Sequence, residues 1–254
     1  TQLRQHAKRM EANVISLRRL GFVGLLVLGT AFALGTRCVE NTSVQVDDAG
    51  YTHVYGEMYN DTDIQGYHML LRARLLAGDG SVIAEQDGPL CPPDLPSHQH
   101  TVFDIRFATP GLPPTASFDV RAIAGQASDA PLQDPKIAVL DASASRQAGD
   151  PVLRVDVKNN SGVAYFNLNA CVAGYDANGK VIAARFFPLQ NKSENGTPIP
   201  GEGLGPNPDY ALLRLTDSPA GTVALRGWIW LAQDATNASQ AYRPVITELV
   251  PLAP

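Results

Sequence analysis

The chain has 254 residues, 44% apolar and 18% charged, which is enough to bury a core and excludes wholesale disorder. Its formal net charge of −5 excludes a general nucleic-acid binder with the usual basic face. Three cysteines are too few for a disulfide scaffold, and 22 Gly with 19 Pro favour turns over long helices.

The charge is unevenly spread. Residues 1–19 hold Arg4, Lys8, Arg9, Arg18 and Arg19 against Glu11 alone, a local net of +4 that leaves −9 for the rest. Leu3, Ala7, Met10, Val14 and Leu17 recur at spacings of four and three, one face of an amphipathic helix. Such a helix suits the anionic cytoplasmic surface of a membrane, or a neighbouring subunit. Residues 20–36 (LGFVGLLVLGTAFALGT) carry no charge. At about 1.5 Å per residue this run spans about 26 Å as a helix, just under a bilayer core, and the flanking Arg18, Arg19 and Arg37 can snorkel to close the gap. Ala31-Phe32-Ala33 resembles a signal-peptidase box, but the basic head is long for a signal peptide, so a retained single-pass anchor is expected. The positive-inside rule then puts 1–19 in the cytoplasm and everything after Arg37 on the periplasmic or extracellular side. Gly21 and Gly24, with Gly29 and Gly35, would let this helix pack closely on a partner helix.

An internal repeat follows. Val54-Tyr-Gly-Glu-Met-Tyr-Asn60 and Asp79-Gly80-Ser-Val-Ile-Ala84 recur as Leu153-Arg-Val-Asp-Val-Lys-Asn159 and Asn178-Gly179-Lys-Val-Ile-Ala183, at an offset of 99 throughout. Phe118-Asp-Val-Arg121-Ala-Ile123 matches Val223-Ala-Leu-Arg226-Gly-Trp228 at an offset of 105, the growth being an insertion within 191–207. So long a period means tandem domains rather than a solenoid. The expected units are 39–125 and 136–254, joined by a linker over 126–135.

Each copy reads as strands. Tyr67, Met69, Leu71, Ala73 and Leu75 alternate with His68, Leu70, Arg72 and Arg74, and Phe166, Leu168, Ala170, Val172 and Gly174 fall on the matching face. Asp79-Gly80 and Asn178-Gly179 predict two-residue type I′ hairpin turns. The expected fold is mainly β: one amino-terminal transmembrane helix, then two tandem antiparallel immunoglobulin-like β-sandwiches. The run from Asn159 through Gly174-Tyr175-Asp176 to Gly179-Lys-Val-Ile182 resembles the FxLYD domain, a small bacterial β-sandwich common in exported proteins. In the first copy Leu76-Ala77 replaces Tyr175-Asp176. The resemblance implies a fold and an exported setting, and no catalytic residue.

Chemistry is not legible. His53, His68, His98 and His100 do not form a metal-binding pattern and read as separate, loop or surface histidines. Asp61, Asp63, Asp129 and Asp134 lack EF-hand spacing. Gly201-Glu-Gly-Leu-Gly205 runs into Pro206 and Pro208, so no phosphate-binding helix follows it. No enzyme, cofactor, metal or small-molecule substrate is expected. Asn41, Asn60, Asn159, Asn191, Asn195 and Asn237 head N-x-S/T sequons. Pairing of cysteines is allowed beyond an anchor. A Cys91–Cys171 bridge would join the two copies, and the sequence leaves it open against free thiols.

Trp228 and Trp230 share a strand face with Ala224 and Arg226, opposite the core set Val223, Leu225, Ile229 and Leu231. Two tryptophans beside an arginine form either a docking patch for partners or a face covered by the carboxy-terminal extension through Tyr242, Val245, Ile246 and Leu249. Together these features point to a non-catalytic, single-pass structural subunit of a large membrane complex. An energy-converting complex is the expected host, photosynthetic (reaction-centre and light-harvesting) ahead of respiratory. The alternative is a stand-alone cell-envelope protein using its tandem sandwiches for binding or adhesion.

Overall fold

A computed structural model of the protein describes residues 39–129, 132–162, 165, 168–189, 209–216, 218–231 and 242–253. The expected cytoplasmic segment 1–19 and membrane helix 20–36 lie outside the described residues, and with them Arg18, Arg19, Gly21, Gly24 and Arg37. Among the described residues the chain is mainly β with no helix, and so none long and apolar enough to cross a membrane.

The strands are β1 (Val39–Val46), β2 (Tyr51–Tyr59), β3 (Gln65–Leu76), β4 (Val82–Cys91), β5 (His100–Pro110) and β6 (Ser117–Ser128) in the first repeat. The second repeat has β7 (Ile137–Gln147), β8 (Asp150–Asn159), β9 (Leu168–Tyr175), β10 (Val181–Leu189), β11 (Asp209–Arg214) and β12 (Ala224–Leu231), then the short β13 (Val245–Ile246) and β14 (Val250–Pro251). The two repeats pair their strands alike. In the first, β1-β2-β5 faces β4-β3-β6, and the end of β4 crosses over so that Leu90 and Cys91 pair with Phe103 and Val102 of β5. In the second, β7-β8-β11 faces β10-β9-β12, and β13 and β14 lengthen the free edge of β12.

Each repeat encloses an apolar layer between its sheets. Met69, Leu71, Ala73 and Leu75 of β3 meet Val54 and Met58 of β2 and Phe103, Ile105 and Phe107 of β5. Leu168, Ala170 and Val172 of β9 with Leu225, Ile229 and Leu231 of β12 meet Leu153, Val155 and Val157 of β8. The period of two puts every second residue here, and each buried aliphatic or Phe side chain contributes about 1.5–3 kcal/mol. Gly227 belongs to this layer because a Cβ there would sit 2.8 Å from Leu153 Cδ2.

Two local expectations need correction. Both hairpin loops hold three residues, closed by Ala77 N–H to Ser81 O at 2.9 Å and by Asp176 N–H to Lys180 O at 3.0 Å. Only the glycines take positive φ (+82° at Gly80, +77° at Gly179), so each is a tight turn ending in a left-handed residue and not type I′. The linker also starts later than 126. β6 continues to Ser128 because β3 already begins at Gln65 and supplies ladder partners for Gln126, Ala127 and Ser128. Beyond it Leu132 is buried against Tyr67, and the Gln133 carbonyl accepts the Arg243 N–H at 2.8 Å.

Candidate functional site

A third apolar layer lies between the repeats. Alternation along β2 sends Tyr55 and Glu57 to the outer side of β1-β2-β5, together with Val102 of β5. These pack on the outer side of β10-β9-β12, on Cys171, Ala173, Tyr175, Val181, Ala224, Trp228 and Trp230. The four sheets therefore stack as β4-β3-β6, β1-β2-β5, β10-β9-β12 and β7-β8-β11. This is why β2 and β12 are buried along nearly their whole length, without the alternation of half-buried strands.

Trp228 has no exposed surface and its indole N–H donates to the His100 carbonyl at 3.0 Å. Trp230 is likewise buried, its ring tilted on Phe186 at 5.9 Å between centroids. The two tryptophans and Arg226 do sit in an interface, but one inside the chain: Trp228 is sealed, and only an edge of Trp230 reaches the cleft described below. Of the carboxy-terminal extension, Ile246 of β13 pairs beside Trp228 and packs against this layer, while Tyr55 and Val102 of the first repeat face it. The register also moves the tryptophans. Trp228 is the ladder partner of Cys171, and Arg121 is the ladder partner of Arg72, so the last strands correspond two residues away from the sequence alignment.

The polar centre of the junction is Glu57, with 1% of its surface exposed. Its carboxylate accepts from Tyr175 Oη at 2.7 Å, from an Arg226 guanidinium nitrogen at 3.1 Å and from Asn41 Nδ2 at 2.6 Å. Burial, and then the Glu57 charge, push the Tyr175 phenol well above its ordinary range and keep it a neutral donor. Ser43 Oγ adds a bond to the Val181 carbonyl at 2.5 Å. Cys91 and Cys171 form a disulfide between the repeats, with Cα atoms 6.1 Å apart and a sequence separation of 80. Beside this layer His53 is held by Asp104 (Nδ1 to Oδ1, 2.7 Å) and Asp47 (Nε2 to Oδ2, 3.4 Å), and stacks on Tyr55. Sequence reasoning missed Glu57 and Tyr175. The available signal was Arg226, a cation on an otherwise apolar face that needs an anion opposite.

At one end of the junction the repeats diverge around a cleft of about 700 Å³. Pro89, Pro93 and Asp94 line one wall, Phe186 and Trp230 the other, and Cys91 also borders it. Asp94 is buried and accepts the His68 N–H at 3.0 Å; burial raises its carboxyl above the ordinary value. The other histidines are apart: His98 lies 3.0 Å from Asp63, and His100 lies 3.0 Å from Glu40. Among the described residues no three or more His, Cys, Asp or Glu side chains gather as a metal site. Asn60 and Asn159 are buried sequon residues. Asn60 Oδ1 accepts Thr62 Oγ1 at 2.7 Å and Asn159 Oδ1 accepts Ser161 Oγ at 2.6 Å, which terminates β2 and β8 in the same way.

No protein-family model and no curated relative matches the sequence. Among solved structures, similarity is found to a penta-heme cytochrome c552 from Thermochromatium tepidum (15% identity, TM-score 0.29, 46% of this chain and 39% of that one). Red sea bream transglutaminase is similar at 13% identity and TM-score 0.27 over 86% of this chain and 32% of that one. A β-glucuronidase from Ruminococcus gnavus follows at 12% identity and TM-score 0.24, over 81% and 36%. The chain thus spans between about a third and two fifths of these proteins' lengths, and likenesses this weak carry no argument about fold or function.

Proposed function

We propose that the chain is a non-catalytic structural subunit of a larger membrane complex, anchored by a single helix over 20–36, with two FxLYD-like, immunoglobulin-like sandwiches outside the cytoplasm acting as one strut that braces partner subunits. The observation that carries this reading is the locked junction. A disulfide, a buried Glu57–Arg226–Tyr175 network and the Trp228 layer all join the repeats. Tandem sandwiches on a free linker can reorient, whereas these are held as one body, which suits holding neighbours at a fixed spacing. The basic head and the uncharged run after it support the anchor and its orientation. The host is proposed to be energy-converting, photosynthetic or respiratory.

Extraction of native membranes in mild detergent tests the proposal. Migration with a large assembly carrying pigments or haems is the expected result, and migration as a free monomer rejects it. The cleft favours a second reading, a stand-alone envelope protein that binds a ligand between its repeats. That reading predicts the free monomer.

A further inference from the structure

The docking face of the second repeat is longer than the surface the first repeat covers. Ladder pairing aligns Phe186, Cys171 and Trp228 in one row across β10, β9 and β12. Cys171 and Trp228 are fully buried at the junction, while Phe186 in the same row is 54% exposed. In the corresponding row of the first repeat Asp87 pairs with Arg72, and Arg72 with Arg121, all polar. An exposed Phe in a row whose other members are buried in an interface is an overhang of that interface. It opens onto the cleft, whose opposite wall includes Pro89 and Pro93. Prolines offer no N–H and present a stiff apolar surface. β10 also ends its sheet: among the described residues no strand pairs with its outer side. A sheet edge next to an aromatic-walled cleft is the geometry by which extended polypeptide segments dock.

We propose that this overhang, Phe186 backed by Trp230 and facing Pro89 and Pro93, seats a bulky apolar side chain carried on an extended segment of a partner subunit. The proposal rests on the structural-subunit reading and names the surface that reading leaves open. The occupant is polypeptide because the cleft continues a buried interface of protein type, with Trp and Phe as its anchors. Asp94 and Asp104 on the facing wall are matched by Arg185 beside Phe186, so the fit of an apolar side chain and not charge selects the segment.

The test uses the full chain in its native membrane. Photocrosslinking from p-benzoylphenylalanine at position 186 should give an adduct with one polypeptide that co-purifies with the chain, mapped to a single segment. Phe186→Asp should weaken that co-purification by roughly tenfold or more, while Phe186→Trp retains it. Both variants should melt with the parent, since Phe186 is largely exposed. Adducts confined to the chain itself, to a second copy or to lipid overturn the proposal, as does undiminished co-purification of Phe186→Asp. If the unaltered chain extracts as a free monomer, the subunit reading itself falls. If it extracts in a complex that Phe186→Asp leaves intact, only this seat falls.

Discussion

Trp228 of the second repeat donates its indole N–H to the backbone carbonyl of His100 in the first, 3.0 Å away. A tryptophan that fills an apolar layer and also satisfies a backbone acceptor fixes orientation as well as adhesion. Trp228→Ala should therefore cost about 3–5 kcal/mol of stability in the full chain, the range for removing a large buried aromatic. Urea unfolding checks this. A midpoint shift within error of zero would mean that the indole is not packed as described. Because Trp228 and Trp230 are the only tryptophans, their emission should be blue-shifted in the native protein and red-shifted on unfolding.

Glu57 and Arg226 should be coupled. Removing the cation leaves a carboxylate buried beside Tyr175, so Arg226→Met is expected to destabilise by about 3–5 kcal/mol. With Glu57→Gln added, much of that loss should return, and a double-mutant cycle should give a coupling energy of about 1–3 kcal/mol. Strictly additive effects would show that the two side chains act independently.

His53 predicts a pH dependence. Burial alone would lower its pKa, but the hydrogen bonds and charges of Asp104 and Asp47 outweigh burial and hold it above 6.5. The folded state thus binds this proton more tightly than the unfolded chain. The stabilisation is full below about pH 6.5, the unfolded value, and is lost as pH rises through the higher folded one. Melting temperature should fall across that window, and His53→Gln should flatten the fall. A profile unchanged by the substitution would assign the pH dependence to other groups.

The Cys91–Cys171 bridge closes a loop of 80 residues. In the chain-entropy account a loop of this size is worth about 4–5 kcal/mol. Cys91→Ser with Cys171→Ser should lower the urea midpoint accordingly, and non-reducing electrophoresis of the parent should show the faster migration of a looped chain. Reduction that leaves both unchanged would argue that the bridge is absent.

The alternation of Met69 to Leu75 was legible because one face of β3 meets an apolar core and strands have a fixed period. The oddity of Cys171 was also legible, since it stands where Arg72 stands on the face away from that core. What covers such a face was not legible. Sequence defines which residues share a side, and the neighbour arrives from 80 to 170 residues away, as Glu57 does for Tyr175 and Arg226. The hairpin turns failed for a smaller reason: Asp79-Gly80 suits two turn types, and the closing pair Ala77 and Ser81 decides between them.

The outermost rows of the first repeat have a consequence for assembly. Arg72 is bidentate on Asp87, and Arg74 pairs with Asp119, on the face of β4-β3-β6 that points away from the other described strands. The joint between the repeats is head-to-tail, made of two unlike faces, and every unit of this kind owns both. Such a joint has no intrinsic stop and, repeated between molecules, would grow an open filament. The equivalent rows of the second repeat, where Cys171 and Ala173 stand, are apolar and accept a neighbour. The two rows, Asp87-Arg72-Arg121 and Glu85-Arg74-Asp119, make the same addition cost the desolvation of six charges. They cap the stack at two units, and the route from this pair of repeats to a fibre runs through their neutralisation.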